Sequence, residues 1–228
     1  MTIARSSLPL NVRRWLDRAL ASETRIPRRI IQAQEGEIQV RDRWMPFTAE
    51  TVYESDPFTF KWRARLKMLP GMWTVAEAGH DGETGWGGAK LWRIIPMGGR
   101  TGPEVFRMQV LRSLSELPWM PQFALAIPGL EWSMTGDASF EVRAVLQKQP
   151  FSIAFKLNAD NEIVQASSMR HYDVPDGFVE APWRVEFSDY QDFGSVRIPT
   201  SAVATYEKSD GPWTYWKAKV TMAHETSG

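Results

Sequence analysis

The chain has 228 residues, 43% hydrophobic and 24% charged, with 27 basic side chains matched by 27 acidic ones and no cysteine. This is the composition of a globular protein with a sizeable core, and it excludes extensive disorder. Balanced charge leaves no global field to draw the molecule to nucleic acid or an acidic membrane, and without cysteine there are no disulfides, thiolate nucleophiles or cysteine-ligated metals.

At the amino end, Arg5, Arg13, Arg14, Asp17 and Arg18 interrupt the apolar residues of Met1 to Leu20, so no signal-peptide core is expected there. No stretch approaches the roughly 20 apolar residues of a membrane span. The expectation is a cytoplasmic protein. The spacing of Val12, Trp15, Leu16, Ala19 and Leu20 predicts a helix over about 10–21, with Asn11 as its cap and the charged residues on a solvated face.

From Arg28 onward the period changes to two. Phe58, Phe60, Trp62, Ala64, Leu66 and Met68 alternate with Thr59, Lys61, Arg63, Arg65 and Lys67, which predicts a long strand of an antiparallel sheet. The cationic row Lys61, Arg63, Arg65, Lys67 reads as the solvated back of that sheet; if that face were concave, it would suit an anionic ligand. Gly82, Gly85, Gly87 and Gly88 follow closely on one another, and such glycines in a strand mark bulges or close backbone approach.

A second helix is predicted over about 103–117. Gly102-Pro103-Glu104 opens it, Phe106, Val110, Leu114 and Leu117 form its apolar face, and Pro118 ends it. Beyond it the alternation returns at Phe140 to Leu146, Phe151 to Leu157, Trp183 to Phe187 and Trp216 to Met222. Turn residues separate the runs at Pro70-Gly71, Asn158 to Asn161, Pro175 to Gly177 and Ser209 to Pro212, so neighbouring strands should pair antiparallel. The expected fold is mainly β (α+β): a strongly curved antiparallel sheet forming an open or half barrel, with the N-terminal and central helices packed against it. No linker divides the chain, and 1–228 reads as a single domain.

Eleven tryptophans are several times ordinary usage. Indole combines a large apolar area with one donor, which suits the wall of a pocket and equally the filling of a wide core. Trp44, Trp62, Trp119, Trp183 and Tyr190 are the candidate walls. His80-Asp81-Gly82-Glu83 is the densest group of proton-transfer residues. Its spacing specifies no metal, and His171 and His224 are the only other histidines, so acid/base work by His80 with Asp81, or a solvated loop, are the readings kept. Arg170-His171-Tyr172 lies at the end of a predicted strand, with Arg170 and Tyr172 on one face and His171 on the other. Facing a cavity, Arg170 and Tyr172 could clamp a carboxylate, a phenolate or a developing enolate; at a rim, Arg170 could pair with Asp173 or Glu180. In Glu116 to Pro121 a carboxylate and an indole sit among prolines, and a buried Glu116 would need an arginine partner. No phosphate loop, dinucleotide fingerprint, nucleophile elbow or metalloprotease motif occurs, so no cofactor is expected.

Several motifs together resemble a bacterial family of uncharacterised proteins: Leu8-Pro9 with Val12-Arg13-Arg14, Gln34-x-Gly36-Glu37, Trp44-x-Pro46-Phe47, Gly102-Pro103-Glu104, Trp119-x-Pro121, Pro182-Trp183 with Tyr190, and Tyr215-Trp216. The sequence departs from that family's pattern at Asn11, where proline is usual, and at Tyr206, where tryptophan is usual. The resemblance implies a shared fold and carries no reaction with it. More loosely, the architecture is similar to the open barrels of bacterial lipoprotein carriers, a fold that also hosts a cofactor-free enzyme of violacein synthesis.

The first functional expectation is a cofactor-independent lyase, isomerase or dehydrating enzyme acting on an apolar, aromatic small molecule, with His80, Asp81, Arg170, His171 and Tyr172 as its catalytic residues. The second is a non-catalytic carrier or sensor of a hydrophobic ligand or lipid. The third is a protein interaction module with its tryptophans on the surface.

Overall fold

The alternating runs become strands of one antiparallel sheet. The structure is a computed structural model describing residues 4–22, 24–40, 43–69, 71–92 and 94–226, without the side chains of 68, 69 and 223–226. The side chains of Met68 and His224, and Pro70 of the first predicted turn, therefore lie outside the described residues. Helix α1 (Leu10–Ala19) precedes six strands: β1 (Arg29–Val40), β2 (Arg43–Ser55), β3 (Phe58–Leu69), β4 (Met72–His80), β5 (Gly85–Leu91) and β6 (Ile95–Thr101). Helix α2 (Pro103–Ser115) and two 3-10 turns, Leu117–Trp119 and Pro121–Leu125, lead to the second half. That half holds β7 (Glu131–Gly136), β8 (Ser139–Leu146), β9 (Gln149–Leu157), β10 (Ile163–Val174), β11 (Gly177–Phe193), β12 (Val196–Lys208) and β13 (Gly211–Thr226).

Sequential strands pair as hairpins, and one ladder joins the halves: β1 runs antiparallel to β13, from Arg29 opposite Thr226 to Ile38 opposite Trp216. The chain thus builds outward from β1 to the edge strand β6, crosses through α2 to the other edge at β7, and returns inward to β13. Among the described residues no ladder joins β6 to β7, so the barrel stays open. Curvature follows from what α2 touches. It packs on β3, β4, β5 and β6 from one arm of the sheet and on β9 and β10 from the other, which a flat sheet could not allow. Register shifts at Ala33/Gln34 and Ala204/Thr205 lie beside the joining ladder, where bulges increase local twist.

In β3, Phe58, Phe60, Trp62, Ala64 and Leu66 are buried on the concave face, while Lys61, Arg63, Arg65 and Lys67 are exposed behind them. The glycine-rich β5 is a case of close approach: a Cβ on Gly85 would stand 2.3 Å from the Cα of Phe106, so the first turn of α2 rests directly on the strand backbone.

Two boundaries differ from the sequence expectation. Helix α1 starts at Leu10 after Pro9, whose fixed φ pre-orders the entry, so Asn11 does not cap it. The Asn11 amide instead donates to the carbonyls of Gly136 (2.8 Å) and Ser139 (3.0 Å), fastening α1 to the β7–β8 hairpin. There Trp15 stacks on Phe140 with centroids 5.8 Å apart. Helix α2 ends at Ser115 rather than 117: Glu116 caps it with ψ near 4°, and Pro118, which has no N–H to continue the α-helical ladder, sits in the 3-10 turn Leu117–Trp119.

Candidate functional site

The concave side of the sheet is not completely filled. Between α2 and the strands β1 and β10 to β13 lies a hollow of about 270 Å³. Trp119, Trp183, Val185, Ala204, Trp213 and Trp216 supply its apolar surface, and Arg112, Glu116, Arg170, Tyr206 and Tyr215 its polar surface. A larger trough of about 920 Å³ crosses the outer face, lined by Glu35, Glu37, Arg65, Lys67, Lys217 and Lys219. The trough is partly apolar, with Pro46, Met72, Trp73 and Val203 among those charges, but it is the more open of the two, and the interior hollow shelters a guest better from water.

Helix α2 provides one polar centre. The Arg112 Nε donates to Glu116 Oε1 at 2.9 Å, one helical turn on, and its guanidinium lies over the rings of Trp62 (4.8 Å) and Phe60 (5.0 Å). The other oxygen, Glu116 Oε2, accepts from the Tyr53 hydroxyl at 2.6 Å. Burial, together with the Glu116 charge, holds the Tyr53 phenol well above its ordinary range, so it stays a proton donor. Gln32 anchors the Trp119 carbonyl from below (2.9 Å), and the Trp119 indole donates to the Pro199 carbonyl (2.8 Å). The predicted carboxylate and indole are thus both held rigidly, with Arg112 as the partner that Glu116 requires.

Strand β10 provides the second centre. Arg170 and Tyr172 both line the hollow, while His171 turns to the other face, its ring 6.5 Å edge-on from Phe178. The Arg170 side chain pairs with neither Asp173 nor Glu180. Its Nε donates to the Met108 carbonyl of α2 at 3.0 Å, and its Nη1 to the hydroxyls of Tyr206 (2.5 Å) and Tyr215 (3.4 Å). The guanidinium lies 4.7 Å over the Trp183 ring. Burial raises the Tyr206 phenol, with the nearby Arg170 pulling the other way, and its hydroxyl donates to the His171 carbonyl at 2.7 Å.

The remaining expected site residues fall elsewhere. His80 is completely buried, its Nε2 2.8 Å from Ser113 Oγ, with Phe58, Phe60 and Phe106 around the ring. Ser113 Oγ also lies 2.9 Å from the Val110 carbonyl as a donor, an arrangement that an Nε2–H tautomer of His80 completes. Asp81 stands in the exposed β4–β5 turn, accepting from the backbone amides of Thr84 (2.7 Å) and Glu83 (2.9 Å); those bonds hold its carboxyl below the usual range. Neither residue reaches the hollow. Trp44 is on the outer face, under the Lys217 ammonium at 4.5 Å, because its parity in β2 is opposite to that of the inward-facing Phe47. Trp62 is a core residue beneath Arg112. Tyr190 donates to the Ile163 carbonyl (2.7 Å) beside Arg197, away from the hollow. Of the expected walls, Trp119 and Trp183 line the hollow.

Sequence reasoning missed Tyr206, Trp213 and Tyr215, which complete the aromatic lining. Tyr206 continues the alternation through Ala202 and Ala204, and Trp213, Tyr215 and Lys217 share a parity. The register shift at Ala204/Thr205 alters how these runs face one another.

Among the described residues, no group of three histidine or acidic side chains gathers where a metal ion could sit, and no helix is long and apolar enough to cross a membrane. The fold is similar to that of a LolA superfamily protein from Nitrosomonas europaea, at 7% identity over 96% of each chain with a TM-score of 0.52. It is also similar to a DUF1329 family protein from Desulfovibrio piger, at 10% identity over 96% of this chain and 92% of the other, with a TM-score of 0.50. At such identities the likeness is one of fold. No curated protein matches the chain. Residues 3–218 match the model of DUF6544, described as a family of unknown function, and the chain belongs to that family.

Proposed function

We propose that this protein is a non-catalytic binder, a carrier or sensor, of a small apolar or aromatic molecule held in the hollow under α2. The observation that carries this reading is the sheltered space itself: four indoles, those of Trp119, Trp183, Trp213 and Trp216, border a volume of about 270 Å³ that the side chains leave open. That volume lies just below the roughly 300–1,000 Å³ of drug-sized ligand pockets, which suits a single ring or a short branched chain. The frame that holds it, an open curved sheet with α2 on its concave side, is similar in fold to a LolA superfamily structure.

The carrier reading is favoured over the enzyme reading by where the titratable groups lie. General acid/base work needs its group within hydrogen-bond reach of the substrate. His80 is sealed among phenyl rings, Asp81 is committed to a turn, and His171 faces away from the hollow. Arg170 and Tyr172, which do line it, suit binding better than proton shuttling.

The test is tryptophan fluorescence titration with a panel of small aromatic and branched aliphatic compounds, followed by chromatography of the recovered compound. Saturable quenching is expected, with the compound recovered unchanged. Ala204→Phe should fill the hollow and abolish the quenching while cooperative melting persists. Quenching that survives this substitution would put the binding elsewhere, and a converted compound would restore the enzyme reading.

A further inference from the structure

The side chain of Arg170 is about 5% exposed, yet among the described residues no carboxylate lies within ion-pair distance of it. A buried cation without a counter-charge costs free energy unless something supplies that charge. The other charged groups of the lining are already matched: Arg112 by Glu116 at 2.9 Å, and Asp173 by Arg100 at 3.3 Å. Within the lining itself the charge left over belongs to Arg170; the Lys208 ammonium stands at the edge, over the rings of Tyr172 (4.7 Å) and Trp213 (3.5 Å).

The guanidinium is also aimed. Its Nε and Nη1 are spent on the Met108 carbonyl and on the hydroxyls of Tyr206 and Tyr215, and its face rests on Trp183. Its Nη2 has no acceptor among the described residues, it is not among the polar atoms sealed inside the protein without a partner, and the space that Arg170 lines is the hollow. The two tyrosines beside it differ. Tyr206 gives its proton to the His171 carbonyl, whereas Tyr215 only accepts, from Arg170 Nη1 and from Trp183 Nε1 (3.2 Å), and its own proton has no acceptor. Two unspent donors, Arg170 Nη2 and the Tyr215 hydroxyl, therefore border the same space.

Building on the ligand-binding reading above, we propose that the guest is a small aromatic or branched aliphatic monocarboxylate, its carboxylate seated on Arg170 Nη2 and the Tyr215 hydroxyl and its apolar body against the indoles of the hollow. Two donors match the two oxygens of a carboxylate. Arg170 is the unmatched charge within the lining itself, with the Lys208 ammonium at its edge over the Trp213 ring, and a dianion would bring a second negative charge into a low-dielectric space that already holds Glu116. The small volume excludes a lipid with two long chains.

Calorimetric titration of the full chain with 3-phenylpropanoate, 3-phenylpropanol and phenyl phosphate tests this. The acid should bind at least about tenfold more tightly than the alcohol, the effect of a hydrogen-bonded charge pair. Arg170→Met should remove most of that preference while leaving the alcohol's affinity within about threefold, and Tyr215→Phe should weaken the acid selectively by about three- to tenfold. Equal binding of acid and alcohol to the unaltered protein would overturn the carboxylate assignment and leave the hollow as a ligand site. Tighter binding of phenyl phosphate would also overturn it, in favour of a dianion. Absence of binding by all three would defeat the ligand-binding reading together with this one. The comparison on the unaltered protein holds even if Arg170→Met does not fold.

Discussion

The imidazole of His80 packs against Phe58, Phe60 and Phe106, and its basicity falls to about 4 because burial penalises the charged ring; the charge of Asp81 opposes this only weakly. The unfolded chain, with a histidine near 6.5, binds a proton that the native state refuses. Between about pH 6.5 and 4, unfolding therefore takes up protons, and stability falls as the pH falls through that window. The full shift corresponds to about 3 kcal/mol. Urea unfolding at pH 7 and pH 4.5 should show the unaltered protein losing about 2 kcal/mol more than His80→Leu, which has no ring to protonate. An equal acid sensitivity in the two proteins would mean that His80 can be protonated without unfolding. The sequence marked His80 as chemically notable, but a histidine flanked by charged residues reads the same whether its ring meets solvent or three phenyl groups. Arg170 shows the converse: its face on β10 was legible, while the carbonyl and phenols that receive it come from residues 36 to 62 positions away.

The strands were legible wherever alternation is strict. Phe58 to Leu66 in β3, Phe140 to Leu146 in β8 and Phe151 to Leu157 in β9 carry their apolar residues on the concave face as the period requires. Pro103 and Phe106 likewise marked α2. Short glycine-rich elements were harder, since β5 and β6 have few side chains from which a period can be read. Gly85 has a structural reason that the period does not reveal, the contact of α2 with bare backbone. Gly85→Ala should accordingly cost about 1–3 kcal/mol, as overpacking does, and lower the melting temperature. Gly87→Ala is the control, because a Cβ there meets nothing closer than the Gln109 amide at 3.9 Å. A similar melting temperature for both variants would show that α2 does not rest on β5 as described. Trp44 and Tyr190 lie away from the hollow for the same kind of reason: both occur in strands, but parity relative to the inner face, and position along a long strand, decide what they touch.

At the scale of the molecule, the sheet is held together at one place by strands from opposite ends of the described chain. Arg29 of β1 faces Thr226 of β13, so the ladder joining the two arms forms only after nearly the whole chain has been brought together. Non-local pairing of this kind places folding in the slow, millisecond-to-second range. Removing residues 211–228 should leave β1 and β12 as unpaired edges and expose the inner side of the joint around Ala202 and Ala204, abolishing the single cooperative melting transition seen by circular dichroism. A truncated chain that still melted in one sharp step would show that each arm folds without the joint. Gly36 belongs to the same joint, since a Cβ there would stand 2.0 Å from the Lys217 carbonyl and push β1 away from β13.

Local patterning specified the periods, the turns, the two helices and the surplus of indole, and with them a curved antiparallel sheet with helices against it, because a side-chain period is a local property that neighbouring residues settle among themselves. Which of those side chains meet was set by packing between distant segments. Alternation assigns a residue to a face, but the curl of the sheet and the position of α2 determine what lies across from that face. Arg170, Tyr215, Trp119 and Glu116 come to border one hollow through the β1–β13 ladder and the crossing helix, both long-range arrangements that no local pattern encodes.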